Sequence, residues 1–173
     1  MAIDTSGLLI GGLRPADPYL ERYRVRPGGA TVLSLRADDA CTVIDVDGGQ
    51  EAEVTVLASD GSDAAAAFGA TADAPATVLR RLLVSASAGA KDVLDDLTTR
   101  GLDPTGAMAI RLFDEWGSAG SRQTFTTARD VVVVVAAPAG RIVDGAPPPS
   151  DLIIEVRRTV DRKSTRLNSS HRL

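Results

Sequence analysis

Residues 41–58 read CTVIDVDGGQEAEVTVLA, and this stretch decides the fold. Its second half alternates: Ala52, Val54, Val56 and Ala58 would point one way, whereas Glu51, Glu53 and Thr55 would point the other. A period of two is typical of a β-strand with one face on the core and one face in water. The stretch therefore predicts two strands joined at Gly48-Gly49, with Glu53 on the solvent face of the second.

Strands of the same kind are predicted on both sides of this stretch, because short apolar runs alternate with glycine, proline and aspartate turn signals. The valines Val131–Val135 are too uniformly apolar for an edge strand and predict an inner one. A spacing of about ten residues favours a mainly β sandwich or barrel. The further predicted strands are residues 21–26, 30–36, 108–113, 123–127, 131–137 and 152–157.

Two short helices are predicted within this order. Apolar residues between 78 and 83 share one helical face after Pro75, although a strand over residues 82–85 competes for the same segment. The second helix covers about residues 91–100 and stops before a glycine. Residues 59–74 are rich in Ala, Gly, Asp and Ser, and this composition predicts a mobile connection.

The end of the chain differs sharply in composition from the rest. Residues 1–160 carry 15 basic and 22 acidic side chains, whereas residues 161–173 carry four basic and one acidic, together with the only His and the only Asn. Residues 161–171, DRKSTRLNSSH, resemble codon for codon the translation of a common sequencing adapter. We therefore expect an N-terminal extension over 1–21, a β domain over 22–159, and an artefactual, disordered tail over 160–173. The alternative is a basic tail that binds nucleic acid.

Composition also narrows the chemistry. Residues 1–160 contain no His, and neither a dinucleotide-binding fingerprint nor a phosphate-binding loop occurs in the sequence. Zinc sites and His-dependent catalytic triads are therefore not expected, and Cys41 alone forms no internal disulfide. The sequence shows no secretory signal and no apolar run of about 20 residues, so we expect a cytoplasmic protein without a membrane partner. An acidic body with few aromatics argues against a nucleic-acid surface.

Residues 23–53 resemble the opening of the urea carboxylase-associated family. They run from YRVRPGG to CTVIDVDGGQEAE, where the family has an Ile-Val-Asp strand, a glycine turn and Gln-x-x-Asp. The family's His and Cys positions have no counterpart here, and Ala137-Pro138 stands where Cys-Pro is usual, so no metal or thiol role is carried over. The resemblance extends over residues 22–157 through Gly-Leu-Asp at 101–103, Ile-Arg-Leu-Phe at 110–113 and the pair 131–138 and 149–156.

The resemblance implies a cupin-like fold and two contexts. Similar domains occur as stand-alone accessory proteins beside urea-degrading enzymes, and at the N-terminus of aminomethyltransferase-like chains related to the glycine cleavage T protein. We expect the second context: a truncated accessory or small-molecule-binding domain, without a cofactor of its own, followed in cis by a transferase domain that uses tetrahydrofolate. The alternatives are a stand-alone accessory protein of urea or amide degradation and a structural module that mediates oligomerisation.

Four polar residues form the candidate ligand site: Asp45, Gln50, Glu53 and Arg111. Asp45 and Gln50 flank the glycine turn, and Arg111 interrupts an otherwise apolar strand. The planar guanidinium of Arg111 would hold the carboxylate or carbonyl of a small acid, amide or ureido ligand, with Asp45 and Gln50 orienting it. No catalytic residue and no metal ligand is expected.

A purely structural interpretation of the same residues is the alternative. The Asp47-Gly48 pair is a common hairpin signal, and Arg111 has Asp114 and Glu115 close by in sequence for an ion pair. The single tryptophan, Trp116, is predicted to be a core or interface anchor rather than a stacking platform.

Overall fold

A computed structural model describes residues 17–140, 145 and 148–160. Most of the predicted N-terminal extension, and the predicted tail apart from Val160, therefore lie outside the described residues. The proline-rich connection over 145–149 is described only in part.

The described chain is mainly β, as the sequence predicts. It contains nine strands and two α-helices, together with one 3₁₀ helix at Ala65–Phe68. The helices are α1 (Thr77–Val84) and α2 (Ala88–Thr99). The strands are β1 (Leu20–Val25), β2 (Ala30–Leu35), β3 (Ala40–Asp45), β4 (Ala52–Leu57), β5 (Ala74–Pro75), β6 (Met108–Leu112), β7 (Ser121–Thr126), β8 (Val131–Ala136) and β9 (Leu152–Arg157).

The strands form two antiparallel sheets that pack face to face. One sheet has four strands in the order β1-β9-β3-β7, and the other has five in the order β2-β8-β4-β6-β5. Alternate side chains of both sheets point into one shared core, which includes Val43, Val54, Val133 and Ile154. The predicted choice between sandwich and barrel is thereby resolved as a sandwich.

The run of five valines lies on an inner strand, which confirms its predicted place. Strand β8 pairs with β2 on one side and with β4 on the other. Val131, Val133 and Val135 face the core between the sheets, whereas Val134 faces the helices. Because both faces of β8 pack against apolar layers, the side chains on both faces are apolar, and this explains the uniform sequence.

Helices α1 and α2 cover the outer face of the five-stranded sheet. Leu79 of α1 and Leu97 of α2 are buried against Leu57 and Val134 of that face. Neither helix, nor any other helix in the described part of the chain, is long and apolar enough to cross a membrane. This second layer makes the prediction of a solvent-facing Glu53 wrong: the alternation of β4 is real, but its polar face lies under the helices.

Several boundaries differ from those predicted. The first helix begins at Thr77 and continues through Leu82, so the competing strand over 82–85 is wrong. The second helix begins three residues earlier than predicted, because the Ser87 hydroxyl accepts a hydrogen bond from Ala90 N–H and caps it. The segment 59–74 is also more than an open connection, since its 3₁₀ helix buries Phe68, which stacks on Phe125 in the core.

The Asp47-Gly48 turn does not make a hairpin. Strand β3 pairs with β7 and β9, whereas β4 pairs with β6 and β8, so the chain crosses from one sheet to the other at this turn. Gly48 has a φ of 86°, and a Cβ atom there would lie 2.7 Å from the Gly117 carbonyl oxygen. Both the backbone conformation and the close approach require glycine.

Arg158 closes the end of the sandwich at which β9 finishes. Its guanidinium donates to Glu21 on β1 and to the buried carboxylate of Asp39 in the β2–β3 turn. Burial raises the pKa of Asp39, but hydrogen bonds from Arg36 N–H, Thr159 N–H and Arg158 outweigh it and hold that pKa below its usual value. The Arg158 hydrogen bond likewise lowers the pKa of Glu21.

We expect Arg158→Met to lower the free energy of unfolding by about 3 kcal/mol at pH 7, because it leaves the buried Asp39 carboxylate without its ion-pair partner. Carboxyl groups with lowered native pKa values stabilise the fold above their unfolded pKa of about 4, and this contribution is lost as pH falls through the native values. The variant should therefore lose less stability than the wild type between pH 5 and pH 3. Arg157→Met is the matched control, since Arg157 pairs with Asp17 at the surface and should cost under about 1 kcal/mol. Equal urea midpoints for the two variants would contradict this role.

Truncation tests where the domain ends. Thr159 N–H donates to Asp39 at 2.8 Å, and its hydroxyl donates to the Asp38 carbonyl. A chain that stops after Thr159 keeps these bonds and should match the full chain within about 0.5 kcal/mol. A chain that stops after Arg157 should be clearly less stable in urea denaturation. A loss as large for the first truncation as for the second would place part of the fold beyond residue 159.

Candidate functional site

The β3–β4 crossing is built around a buried carboxylate. Asp45 ends β3 and is fully buried. Its Oδ1 accepts a hydrogen bond from Gly48 N–H and its Oδ2 accepts one from Gln50 N–H, both at 3.0 Å. A buried carboxylate is tolerated only where donors satisfy it, and here the donors are backbone groups of the turn that it organises. Asp45 thus shapes the turn.

Gln50 joins this turn to two other segments. Its side chain is also buried, and its Nε2 donates to the Glu51 carbonyl at 3.1 Å and to the Pro138 carbonyl at 3.3 Å. Its Oε1 accepts a hydrogen bond from Ser150 N–H at 3.1 Å. One amide therefore ties the start of β4 to the chain just after β8 and just before β9.

Glu53 caps helix α1 from a neighbouring strand. Its two carboxylate oxygens accept hydrogen bonds at 2.9 Å from the N–H groups of Val78 and Leu79. These are unpaired donors of the first helical turn, and the negative charge also favours this end of the helix dipole. The residue that precedes the helix, Ala76, offers no capping side chain, and the distant glutamate supplies the cap instead.

Arg111 lies directly opposite Glu53 on β6. Its side chain is exposed, and its Nη2 donates to the Thr77 hydroxyl at 3.2 Å. The Thr77 hydroxyl in turn lies 3.5 Å from Glu53 Oε2. Among the described residues, the ion pairs of Arg111 with Asp114 or Glu115 that the alternative interpretation predicts do not form.

A small pocket opens between the outer face of the five-stranded sheet and the start of α1. Its cavity volume is about 40 Å³, well below the roughly 300–1,000 Å³ of drug-sized ligand sites, so it has room only for a group of a few atoms. Two of the four candidate residues, Glu53 and Arg111, line it, whereas Asp45 and Gln50 lie behind its wall. The other lining residues are Glu51, Ala52, Val78, Leu112, Phe113 and Pro138.

Three residues at this pocket were missed from the sequence. Glu51 was assigned only to a wet strand face, and Thr77 gave no signal of its own. Phe113 adopts a φ of 62°, a left-handed conformation that is rare for a bulky side chain, and such strain is concentrated at functional sites. Phe113 follows β6 directly, so only the tertiary fold could reveal its conformation.

Other predicted features lie elsewhere. Trp116 is 72% exposed, so its predicted role as a core anchor is wrong, and that of an interface anchor stays a prediction. Burial raises the pKa of the Cys41 thiol to about 12, which leaves it protonated and unreactive at neutral pH. Within residues 17–140, 145 and 148–160, no group of three or more His, Cys, Asp or Glu residues is arranged to hold a metal ion.

A larger hollow lies on the outer face of the four-stranded sheet, around Ile44 and Ile153. Its cavity volume is about 290 Å³, roughly seven times that of the Arg111 pocket. Its arginines are already engaged, since Arg22 pairs with Glu155 and Arg24 pairs with Asp151. Among the described residues that line these two spaces, the arginine without an acidic partner is therefore Arg111.

The comparisons with known proteins give one similarity and one negative result. The chain is 31% identical to the trimethylamine-oxide aldolase of Ruegeria pomeroyi over 153 residues, which cover 86% of this chain and 19% of that protein. The chain thus spans about a fifth of the length of the curated relative that it matches. No family model matches the chain, so the resemblance to the urea carboxylase-associated family stays a prediction.

We expect Glu53→Gln to lower the free energy of unfolding by about 1–3 kcal/mol, because one helix donor would face an amide NH₂ group instead of an oxygen. Glu155→Gln is the matched control: Glu155 pairs with Arg22 on the outer surface, and its loss should cost under about 1 kcal/mol. Urea denaturation of both variants measures the difference. A Glu53 variant as stable as the wild type would show that α1 does not depend on this cap.

Proposed function

We propose that this β-sandwich is a small-molecule-binding accessory domain of a longer enzyme, and that Arg111 is its main ligand contact. The observation that supports this proposal is the exposed guanidinium of Arg111, which lies in a pocket formed by a β-sheet and the start of helix α1. Thr77 accepts from one guanidinium nitrogen, the start of the Glu53-capped helix forms one side, and Phe113 and Pro138 are among the other lining residues. An arginine placed in this way donates to a negatively polarised oxygen of a carboxylate, an amide, a ureido group or an amine oxide.

The similarity to a much longer protein supports the accessory role. Four-fifths of the trimethylamine-oxide aldolase lies outside the match, so the similar region is a part of a larger enzyme there. We extend this to the present chain as a proposal: a downstream domain in cis performs the chemistry. The resemblance described above adds that this domain is aminomethyltransferase-like and uses tetrahydrofolate.

Binding and turnover are separated in this proposal. The buried, protonated Cys41 is a poor nucleophile, and residues 1–160 hold no His as a general base. We therefore expect the chain alone to bind trimethylamine oxide or a small acid or amide without converting it. Measurable turnover of any of these by the purified chain would overturn the accessory role.

Arg111→Met tests the ligand contact, because it keeps an unbranched apolar stem and removes the donors. We expect affinity to fall by about 1.5–3 kcal/mol, the range for hydrogen bonds to a charged group. Acetate, acetamide and trimethylamine oxide are the probes, titrated by NMR into wild type and variant. Arg122→Met is the control, since Arg122 lies on β7 of the other sheet. Equal affinity in wild type and Arg111→Met would remove Arg111 from the site.

A second candidate function, an oligomerisation module, draws on a different observation. The exposed Trp116 lies on the loop between β6 and β7, where Gly117 packs against the β3–β4 turn. Aromatic side chains of this exposure are enriched at interfaces. Analytical ultracentrifugation of the wild type and of Trp116→Ser tests it. If Trp116 lies in an interface, the wild type sediments as an oligomer and the variant as a monomer; equal sedimenting masses would contradict this role.

A further inference from the structure

The Arg111 pocket contains two acids beside its arginine, and they are used differently. Glu51 directly precedes β4 and Glu53 lies within it, and both residues line the pocket. Arg111 stands opposite Glu53 on the adjacent strand, at a cross-strand separation of roughly 5 Å between Cβ atoms. Glu53 and Arg111 therefore share one face of the sheet, and Glu51 joins them at the pocket.

The charge of Glu53 is already satisfied within the fold. Both of its oxygens accept hydrogen bonds from the first turn of α1, and neither is turned to a ligand. Glu51 is different, because it is exposed and lines the pocket. In the described part of the chain, its backbone carbonyl accepts from Gln50 and its carboxylate accepts no hydrogen bond.

The Asp45–Gln50 contacts fix the backbone from which the Glu51 side chain extends. Asp45 holds Gln50 N–H, and Gln50 in turn holds the Glu51 carbonyl and the Pro138 carbonyl. Glu51 thus directly follows the buried β3–β4 crossing around Asp45 and Gln50, which we call the corner and whose polar groups are hydrogen-bonded. Its backbone is positioned before any ligand arrives, which reduces the ordering cost of binding.

A donor from Arg111 and an acceptor from Glu51 select among the ligand classes. A carboxylate is attracted by Arg111 but repelled by Glu51, whereas an ammonium group is attracted by Glu51 but repelled by Arg111. A group that carries a carbonyl oxygen and an N–H together satisfies both side chains without a net charge. Sites that hydrogen-bond such a pair discriminate strongly, because an analogue leaves one partner unsatisfied.

We propose that the pocket binds an amide-type group, with its carbonyl oxygen on Arg111 and its N–H on the Glu51 carboxylate. This inference rests on the proposed binding function and adds the ligand class and the role of Glu51. Glu51 becomes a specificity-determining residue, whereas Gln50 and Asp45 are positioning residues that do not touch the ligand.

Acetamide and acetate test it, because they are matched in size and acetamide has a neutral NH₂ group where acetate shares a negative charge between two oxygens. NMR titration of the isotope-labelled wild type should show acetamide binding at least about fivefold more tightly than acetate. In Glu51→Gln, which keeps an acceptor oxygen but removes its charge, acetamide binding should weaken by about tenfold, the difference between a charged and a neutral acceptor, and acetate binding should tighten. Glu155→Gln should keep the wild-type ratio, because Glu155 lies on the other sheet. The spectrum of each variant checks its fold, and Glu51→Ala repeats the test with a second side chain.

The outcomes separate the two proposals. Tighter binding of acetate than of acetamide, abolished by Arg111→Met, would overturn the amide assignment and leave the Arg111 site in place. An unchanged ratio in both Glu51 variants would remove Glu51 from the site. If acetamide, acetate and trimethylamine oxide all leave the resonances of Arg111 and Val78 unshifted in the wild type, the pocket is not a binding site and both proposals fail.

Discussion

The structure depends on one buried carboxylate. Asp45 sits where β3 must leave one sheet so that β4 can begin in the other, and it accepts two backbone N–H groups of the intervening turn. Without these bonds, a charge with no solvent access would stand unpaired between the sheets, at a cost of several kcal/mol. With them, the crossing is tight and has one geometry. Gly48 completes it, because a larger residue would collide with the loop before β7.

The pocket follows from this corner. Gln50 is held by Asp45 and carries the constraint outward to Pro138 and Ser150, the flanks of the β8–β9 connection. The strand that leaves the corner then places Glu53 under the first turn of α1, where its carboxylate fixes the helix. The wall, the helix end and Arg111 therefore come from distant parts of the sequence, and buried polar contacts hold them together. Such networks specify one arrangement only when every member is satisfied, as they are here.

The sequence predicts the fold class and most strands because local signals and tertiary packing agree there. Alternation, glycine turns and the valine run all indicate strands that the structure contains. Glu53 could not be placed correctly, since its environment is created by a helix some 25 residues further along the chain, and no local pattern reports a second layer. The sheet crossing could not be predicted for a similar reason. An Asp-Gly turn between two strands predicts a hairpin, and the sequence does not show that the two strands pair with other strands instead.

The candidate site was predicted in composition but not in arrangement. Asp45, Gln50, Glu53 and Arg111 prove to be linked through the corner and the sheet, yet only Glu53 and Arg111 line the pocket, and Glu53 serves the fold. Glu51 was overlooked because a glutamate on an alternating strand is the ordinary solvent-facing residue. Its position beside an arginine becomes visible only once β4 and β6 are paired.

A crystal structure of the chain with acetamide is the most direct measurement of the central claim, that the corner around Asp45 supports a ligand site at Arg111. We expect the acetamide oxygen at about 3 Å from the Arg111 guanidinium and its nitrogen at a similar distance from the Glu51 carboxylate. Acetamide seated instead in the hollow beside Ile44 and Ile153, with the Arg111 pocket empty in the same crystal, would contradict the account.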